Sequence, residues 1–187
     1  IKSRLGANPL VISLPVHDED DFMGIIDLIK MKYYTFGGKL GHDVLETEIP
    51  ERYLAEAETW RNAMIEGLAE NDEELLELYF NNEALPEEMI VGSIRNSTVA
   101  GQIVPTLCGS SYRNIGVQLL LDSIVSYLPS PLDGKNAVGI IPGSEETLDI
   151  VPDAGEPFAA LIFKIVSDRH VGKLAFARVY SGTVKAG

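Results

Sequence analysis

Ile103-Val104-Pro105-Thr106-Leu107-Cys108 is a mostly apolar run closed by Gly109-Ser110-Ser111-Tyr112, and from Val117 to Leu128 apolar residues return at helical spacing. The run has the length of a strand, whereas Val117, Leu120, Leu121, Ile124, Val125 and Leu128 share one helix face. A strand, a turn of small residues and a helix form one unit of an open α/β sheet. The strand is expected to be covered on both faces, with Pro105 marking an edge or a bulge because it has no N–H for a ladder. Asn114 is placed to cap the helix, and Pro129-Ser130-Pro131 ends it. Ligands of such sheets gather at the carboxyl ends of strands, here near Gly109 to Tyr112.

Upstream of this unit, Pro9-Leu10-Val11-Ile12-Ser13-Leu14 reads as a short buried strand. The charged stretch His17 to Asp21 and a second apolar stretch, Gly24 to Met31, follow it, and Gly37-Gly38 and Gly41 mark turns. A helix is predicted from about Glu51 to Phe80, with Asn71 the place where it can break. Pro50 suits the helix start, where its missing N–H costs nothing, and Glu51 faces the positive end of the helix dipole. Tyr53, Ala57, Trp60, Met64 and Leu68 lie on one face and should bury, while Glu66, Glu70, Glu73 and Glu77 lie on another and should meet water. Like charges at that spacing oppose the helix by a few tenths of a kcal/mol, roughly, per pair. Each large buried side chain returns ~1.5–3 kcal/mol, so packing prevails. A second acidic helix is predicted from Pro86, burying Ile90, Val91 and Ile94.

Downstream, Leu132 to Pro157 is rich in Gly, Pro and Asp and reads as a linker with an edge hairpin. From Phe158 the texture is all β: Phe158 to Val166 is one strand, Ser167 to His170 a turn, and Val171 to Val184 alternates as a second strand. An isolated hairpin is marginal, so the chain is expected to stop inside a β domain.

The 187 residues leave room for one ordinary domain or two small ones, and 45% hydrophobic residues with a mean hydropathy of +0.08 exclude a disordered or fibrous chain. No apolar run approaches the ~20 residues of a membrane span. No leader opens the chain, and a cytosolic address is expected. Cys108 is the one cysteine, which excludes an intramolecular disulfide and a multi-cysteine metal site. The net charge of −13 sits in residues 42–92, where 15 Asp and Glu meet only Arg52 and Arg61, while the rest of the chain is balanced. Such a block repels phosphate backbones and attracts basic protein surfaces, so DNA is not an expected partner.

Five strings, taken in order, carry a resemblance to a known family. They are Arg4-Leu5-Gly6-Ala7-Asn8-Pro9; Cys108-Gly109-Ser110 with Asn114 and Gly116-Val117-Gln118; Tyr127-Leu128-Pro129-Ser130-Pro131-Leu132-Asp133; Glu156-Pro157-Phe158-Ala159-Ala160-Leu161; and Val171-Gly172-Lys173-Leu174 with Arg178-Val179-Tyr180-Ser181-Gly182. Together they resemble the elongation factor G family, translational GTPases that drive ribosomal translocation. The likeness covers essentially the whole chain, as an internal piece of such a protein. The phosphate-binding Gly-x-x-x-x-Gly-Lys-Ser/Thr loop and the Asn-Lys-x-Asp guanine motif do not occur in these residues. The resemblance implies an α+β fragment. Residues 1–100 would be the insert subdomain of a GTPase domain, with acidic helices. Residues 101–128 would be a strand and helix of the GTPase sheet, 129–157 a linker, and 158–187 the start of an antiparallel β-barrel. GTP and Mg would be bound and GTP hydrolysed by the parent protein, and these residues alone would bind no guanine nucleotide measurably. A ribosomal protection factor or a release-factor GTPase shares the same modules, and a stand-alone acidic protein-interaction module is the reading without an enzymatic parent.

By the same resemblance, Ser110, Ser111 and Tyr112 occupy the family's last guanine-recognition motif, usually Ser-Ala and an apolar residue. The Ser111 N–H would point at guanine O6, where adenine presents a donor and is rejected. Without the resemblance, a turn of small residues is ordinary structure. Glu66, Glu70, Glu73 and Glu77 would form a salt-sensitive docking stripe for the ribosomal stalk protein, against the plainer role of a solvated helix face. Lys173 and Arg178 could touch ribosomal RNA, or simply protect a strand edge. His170 after Arg169 departs from the Pro-aromatic pair of the family's turn. His17-Asp18-Glu19-Asp20-Asp21 has oxygen ligands but not the spacing of a calcium loop, so it reads as a solvated loop. His42 and His170 lack partners for catalysis, and Cys108 reads as a small packed hydrophobe.

Overall fold

The computed structural model describes residues 2–19, 21–38, 41–81, 84–141 and 143–186, and the chain divides into two compact units, 1–128 and 129–187. In the first unit a one-turn helix α1 (Lys2–Leu5) precedes β1 (Pro9–Val11), which pairs in parallel with β6 (Val104–Thr106). Between these strands lie an antiparallel meander, β2 (Ser13–Asp18), β3 (Asp21–Asp27), β4 (Lys32–Gly37) and β5 (Asp43–Glu48), and helices α2 (Glu51–Ala69), α3 (Glu73–Phe80) and α4 (Glu87–Val99). Helix α5 (Val117–Tyr127) closes the unit.

The expected strand Pro9 to Leu14 is two strands. Ile12 is the joint: its N–H donates to the Thr106 carbonyl in the parallel ladder, and its carbonyl accepts from Leu28 N in the meander. One apolar run can serve two sheets because alternate residues keep facing the same core, with Leu10, Ile12, Leu14 and Val16 all buried. Gly24 to Met31 is likewise part strand and part turn. Asp27 Oδ1 accepts from Ile29 N (2.7 Å) and Lys30 N (3.0 Å), bending the chain into β4. Arg61 of α2 reaches over to donate to the Leu28 and Ile29 carbonyls of the same turn. Edge strand β5 is exposed along its length, and its acids guard it against strand pairing.

The long helix breaks after Ala69. The Asp72 side chain accepts from Leu75 N at 3.1 Å and so starts α3 afresh. Ala57, Met64 and Leu68 are buried as the spacing predicts, and Ile65 joins them. Trp60 does not: it stays 41% exposed, because the buried arc of α2 centres on Met64, Ile65 and Leu68 and leaves Trp60 at its rim. Helix α4 buries Ile90 and Ile94 fully and Val91 in part.

Burial pushes the Asp27 carboxyl above its ordinary 3.8, against the two backbone N–H groups that favour its charge. The folded chain therefore holds more protons than the unfolded one just above pH 3.8, and stability falls as pH rises from there through the folded value. Asp27→Asn keeps the acceptor without the charge. It is expected to match or exceed the parent in thermal stability at neutral pH and to lose any advantage below pH 3.8. Melting curves at the two pH values check this, and an advantage that grows on acidification would contradict it.

The second unit holds two hairpins: β7 (Ala137–Ile140) with β8 (Thr147–Ile150), and β9 (Ala159–Asp168) with β10 (Gly172–Ser181). At the β9–β10 turn Asp168 accepts from His170 N and Val171 N, which holds its carboxyl below the ordinary range. Both faces of this hairpin carry exposed apolar side chains, among them Phe163, Ile165 and Phe176.

Candidate functional site

The loop between β6 and α5 is tightly closed. Ser110 and Ile115 exchange two backbone hydrogen bonds of 2.9 Å, enclosing the turn Ser111 to Asn114, and Asn114 N donates to the Ser111 carbonyl. Gly109 and Gly116 permit this closeness. A Cβ on Gly109 would lie 2.8 Å from the Ile115 carbonyl oxygen, and one on Gly116, whose φ is +77°, would lie 3.0 Å from the Cys108 carbonyl oxygen and run into Ile25. Gly116 therefore precedes α5 as its N-cap, in place of the expected Asn114, which lies inside the turn with φ of +54°. Ser111 and Tyr112 stand at the tip, Tyr112 98% exposed. Among the described residues the Ser111 N–H has no acceptor, so it is available to an oxygen outside the loop. Ser110 is more engaged, since its Oγ accepts from Arg113 N at 3.4 Å.

Parts of the first unit far away in sequence meet this loop. Arg113 pairs with Asp21 of β3 at 3.0 Å, Gln118 Nε2 donates to the Gly41 carbonyl at 3.2 Å, and Gly41 lies directly against the turn backbone. Residues 77 and 92 positions apart leave no periodic signal, so the sequence identifies none of these partnerships. Asp21 belongs to the acidic stretch weighed for calcium, whose His17 and Asp18 end β2 and whose Asp21 begins β3; Asp20 of that stretch lies outside the described residues. Among the described residues, no group of three or more His, Cys, Asp or Glu is placed to hold a metal ion.

Cys108 is not simply a packed hydrophobe. It is half-buried, its N–H donates to Ser13 Oγ at 3.1 Å, its Sγ lies 3.4 Å from the same oxygen, and burial raises the thiol's pKa. The α5 stripe also departs from expectation. Leu120, Leu121, Ile124 and Val125 are exposed, because α5 turns Tyr127 inward against α4 while its other side has no cover among the described residues of the first unit. Arg95 of α4 secures that contact by donating to the Ser126 and Leu128 carbonyls at the end of α5. Val104 of β6 is 46% exposed, and β6 pairs with β1 alone among the described residues, so Pro105 does lie in an edge strand but the strand is not covered on both faces. An apolar cleft of about 410 Å³ opens between β6 and α5, lined by Ile103, Val104, Leu107, Leu120 and Ile124.

Glu66, Glu70, Glu73 and Glu77 are all exposed but span two helices: Glu66 is on α2, Glu70 follows its last residue, and Glu73 and Glu77 are on α3. Tyr79 of α3 donates to Glu66 Oε1 at 2.9 Å and ties the two parts together. Lys173 and Arg178 are exposed on β10, the Arg178 guanidinium 5.5 Å from the Tyr180 ring centre. His42 is exposed, and His170 sits in the β9–β10 turn.

No family model matches the chain. Elongation factor G 1 of Syntrophomonas wolfei subsp. wolfei is 62% identical over all 187 residues, which cover 28% of that protein. A crystallised protein of Thermus thermophilus shares the fold with a TM-score of 0.73 at 27% identity, over 97% of this chain and 24% of the other. The chain spans about a quarter of the length of these relatives. No helix among the described residues is long and apolar enough to cross a membrane. Along its full length, the chain corresponds to a segment of an elongation factor G.

Proposed function

We propose that these residues work as part of a translation elongation factor that hydrolyses GTP and moves tRNA and mRNA on the ribosome. The 62% identity across the whole chain to an elongation factor G is the observation that carries this reading. In it, residues 1–100 form the insert subdomain, 101–128 return to the GTPase sheet, 129–157 link, and 158–187 open a β-barrel. The uncovered apolar face of α5 and the open edge of β6 favour a GTPase sheet completed by other residues, since water-exposed apolar area of that extent is costly to a free surface. The same argument favours further strands over β9 and β10.

The loop contributes base selection. The unpartnered Ser111 N–H suits the O6 acceptor of guanine, Ser110 shapes the turn, and Tyr112 offers a ring at the tip. GTP supplies the phosphoanhydride whose cleavage is coupled to movement, and its phosphates and Mg would be held by residues outside this segment. Glu66, Glu70, Glu73 and Glu77 form the docking stripe for a basic face of the stalk protein, and Lys173 and Arg178 face ribosomal RNA. A full-length elongation factor G carrying these 187 residues in place of its own is expected to keep ribosome-stimulated GTP hydrolysis and translocation. Reversing the four glutamates to lysine should lower the stimulated rate several-fold, more at low salt than at high. An inactive hybrid would sink the translocation reading, and an unchanged rate after charge reversal would sink the stripe.

A further inference from the structure

The loop that ends in Ser111 is held from outside. Its turn backbone rests on Gly41, which lies between β4 and β5 and has φ of +66°; a Cβ there would sit 2.9 Å from the Asn114 carbonyl oxygen and 3.2 Å from that of Arg113. Gly41 is buried, and its own carbonyl accepts from Gln118 Nε2 at 3.2 Å, at the start of α5. On the other side Arg113 pairs with Asp21 at the tip of the β2–β3 hairpin at 3.0 Å. Two separate turns of the meander thus grip a single six-residue closure, Ser110 to Ile115, whose ends are locked by the Ser110–Ile115 bridge.

We infer that Gly41 and Asp21 are positioning residues for base recognition: the meander tips set the shape in which the loop presents the Ser111 N–H. This rests on the assignment of that N–H to guanine O6. Neither residue touches the base. They act because a hydrogen bond to an acceptor weakens steeply once donor direction and distance slip, and an exposed four-residue turn has little of its own to prevent slipping. Gly41 is the stronger grip, being buried against backbone. The Arg113–Asp21 pair is exposed, and such pairs contribute little to stability, so its effect should appear in loop geometry more than in folding.

The test uses a full-length elongation factor G carrying this segment, with GDP and 6-thio-GDP as probes. Sulfur at position 6 is a poor acceptor, so the affinity ratio of the two reports the Ser111 hydrogen bond, whereas a general loss of stability would leave the ratio unmoved. Gly41→Val should reduce GDP affinity about tenfold or more, with much less effect on 6-thio-GDP, a tenfold change corresponding to ~1.4 kcal/mol. Arg113→Asp and Asp21→Arg should each reduce the ratio by a smaller factor, and the double exchange should restore it, which keeps the idea testable if Gly41→Val fails to fold. An unchanged ratio in the Arg113 and Asp21 variants, beside a ratio abolished by Ser111→Pro, would overturn the positioning role and leave base recognition standing. A ratio that Ser111→Pro does not move would overturn the base assignment itself.

Discussion

Leu68→Ala is expected to destabilise the first unit by ~2–5 kcal/mol, a large part of the stability of a domain of this size. Leu68 is fully buried on α2, in the core shared by Leu10 of β1, Leu14 of β2, Leu75 of α3 and Ile94 of α4. Removing three carbons there forfeits their transfer out of water. It also leaves a cavity that four separate elements would have to close, and rigid helices on a sheet relax little. Urea unfolding of the 187-residue chain followed by circular dichroism measures the loss. Leu54→Ala supplies the contrast, because Leu54 lies on the same helix but is 40% exposed, and it should cost under ~1 kcal/mol. Equal costs for the two would mean that α2 buries a different face.

Gly24→Ala should be nearly as damaging, by ~1–3 kcal/mol, although it adds a single methyl group. Gly24 pairs with Thr35 in the middle of the meander, and a Cβ would run into the Tyr34 carbonyl oxygen and lie 2.7 Å from Cε2 of Tyr33, whose ring crosses the gap left by the missing side chain. A ladder carbonyl cannot move without breaking its neighbours' pairing, so the strain has nowhere to go. Gly92→Ala makes the opposite prediction. Nothing lies within 4 Å of a Cβ at that site on α4, so the substitution should stabilise by ~0.5–1 kcal/mol through helix propensity alone. Melting temperatures that rise for one glycine and fall for the other support this placement of both, and a fall of equal size in each would refute it.

Helix α2 shows why part of this architecture is legible in a linear reading. The 3.6-residue period of Ala57, Met64 and Leu68 is local information, and so are the proline that starts α2 and the aspartate that restarts the chain as α3. The hairpin of β9 and β10 is legible for the same reason, its alternation and its turn being contained in neighbouring residues. Trp60 escapes such a reading because periodicity marks the direction of a face but not its width, which depends on how near the opposing elements come. The α5 stripe reads as interior because apolar spacing says that a face seeks cover, without saying what supplies it.

Residue order alone settled the strand-turn-helix unit, the acidic block and the motif strings, all of which are short-range patterns or local charge sums. It also placed Ser110, Ser111 and Tyr112 at the end of a strand, where a ligand would be sought. That the same loop rests on Gly41 and is paired to Asp21 was decided only by the folded chain, because contacts between residues more than seventy positions apart depend on how sheets and helices stack and leave no imprint on any short stretch of sequence. The division of Pro9 to Leu14 between two sheets has the same origin: a hydrophobic run specifies burial, and hydrogen-bond partners on either side of Ile12 specify which sheet receives each half.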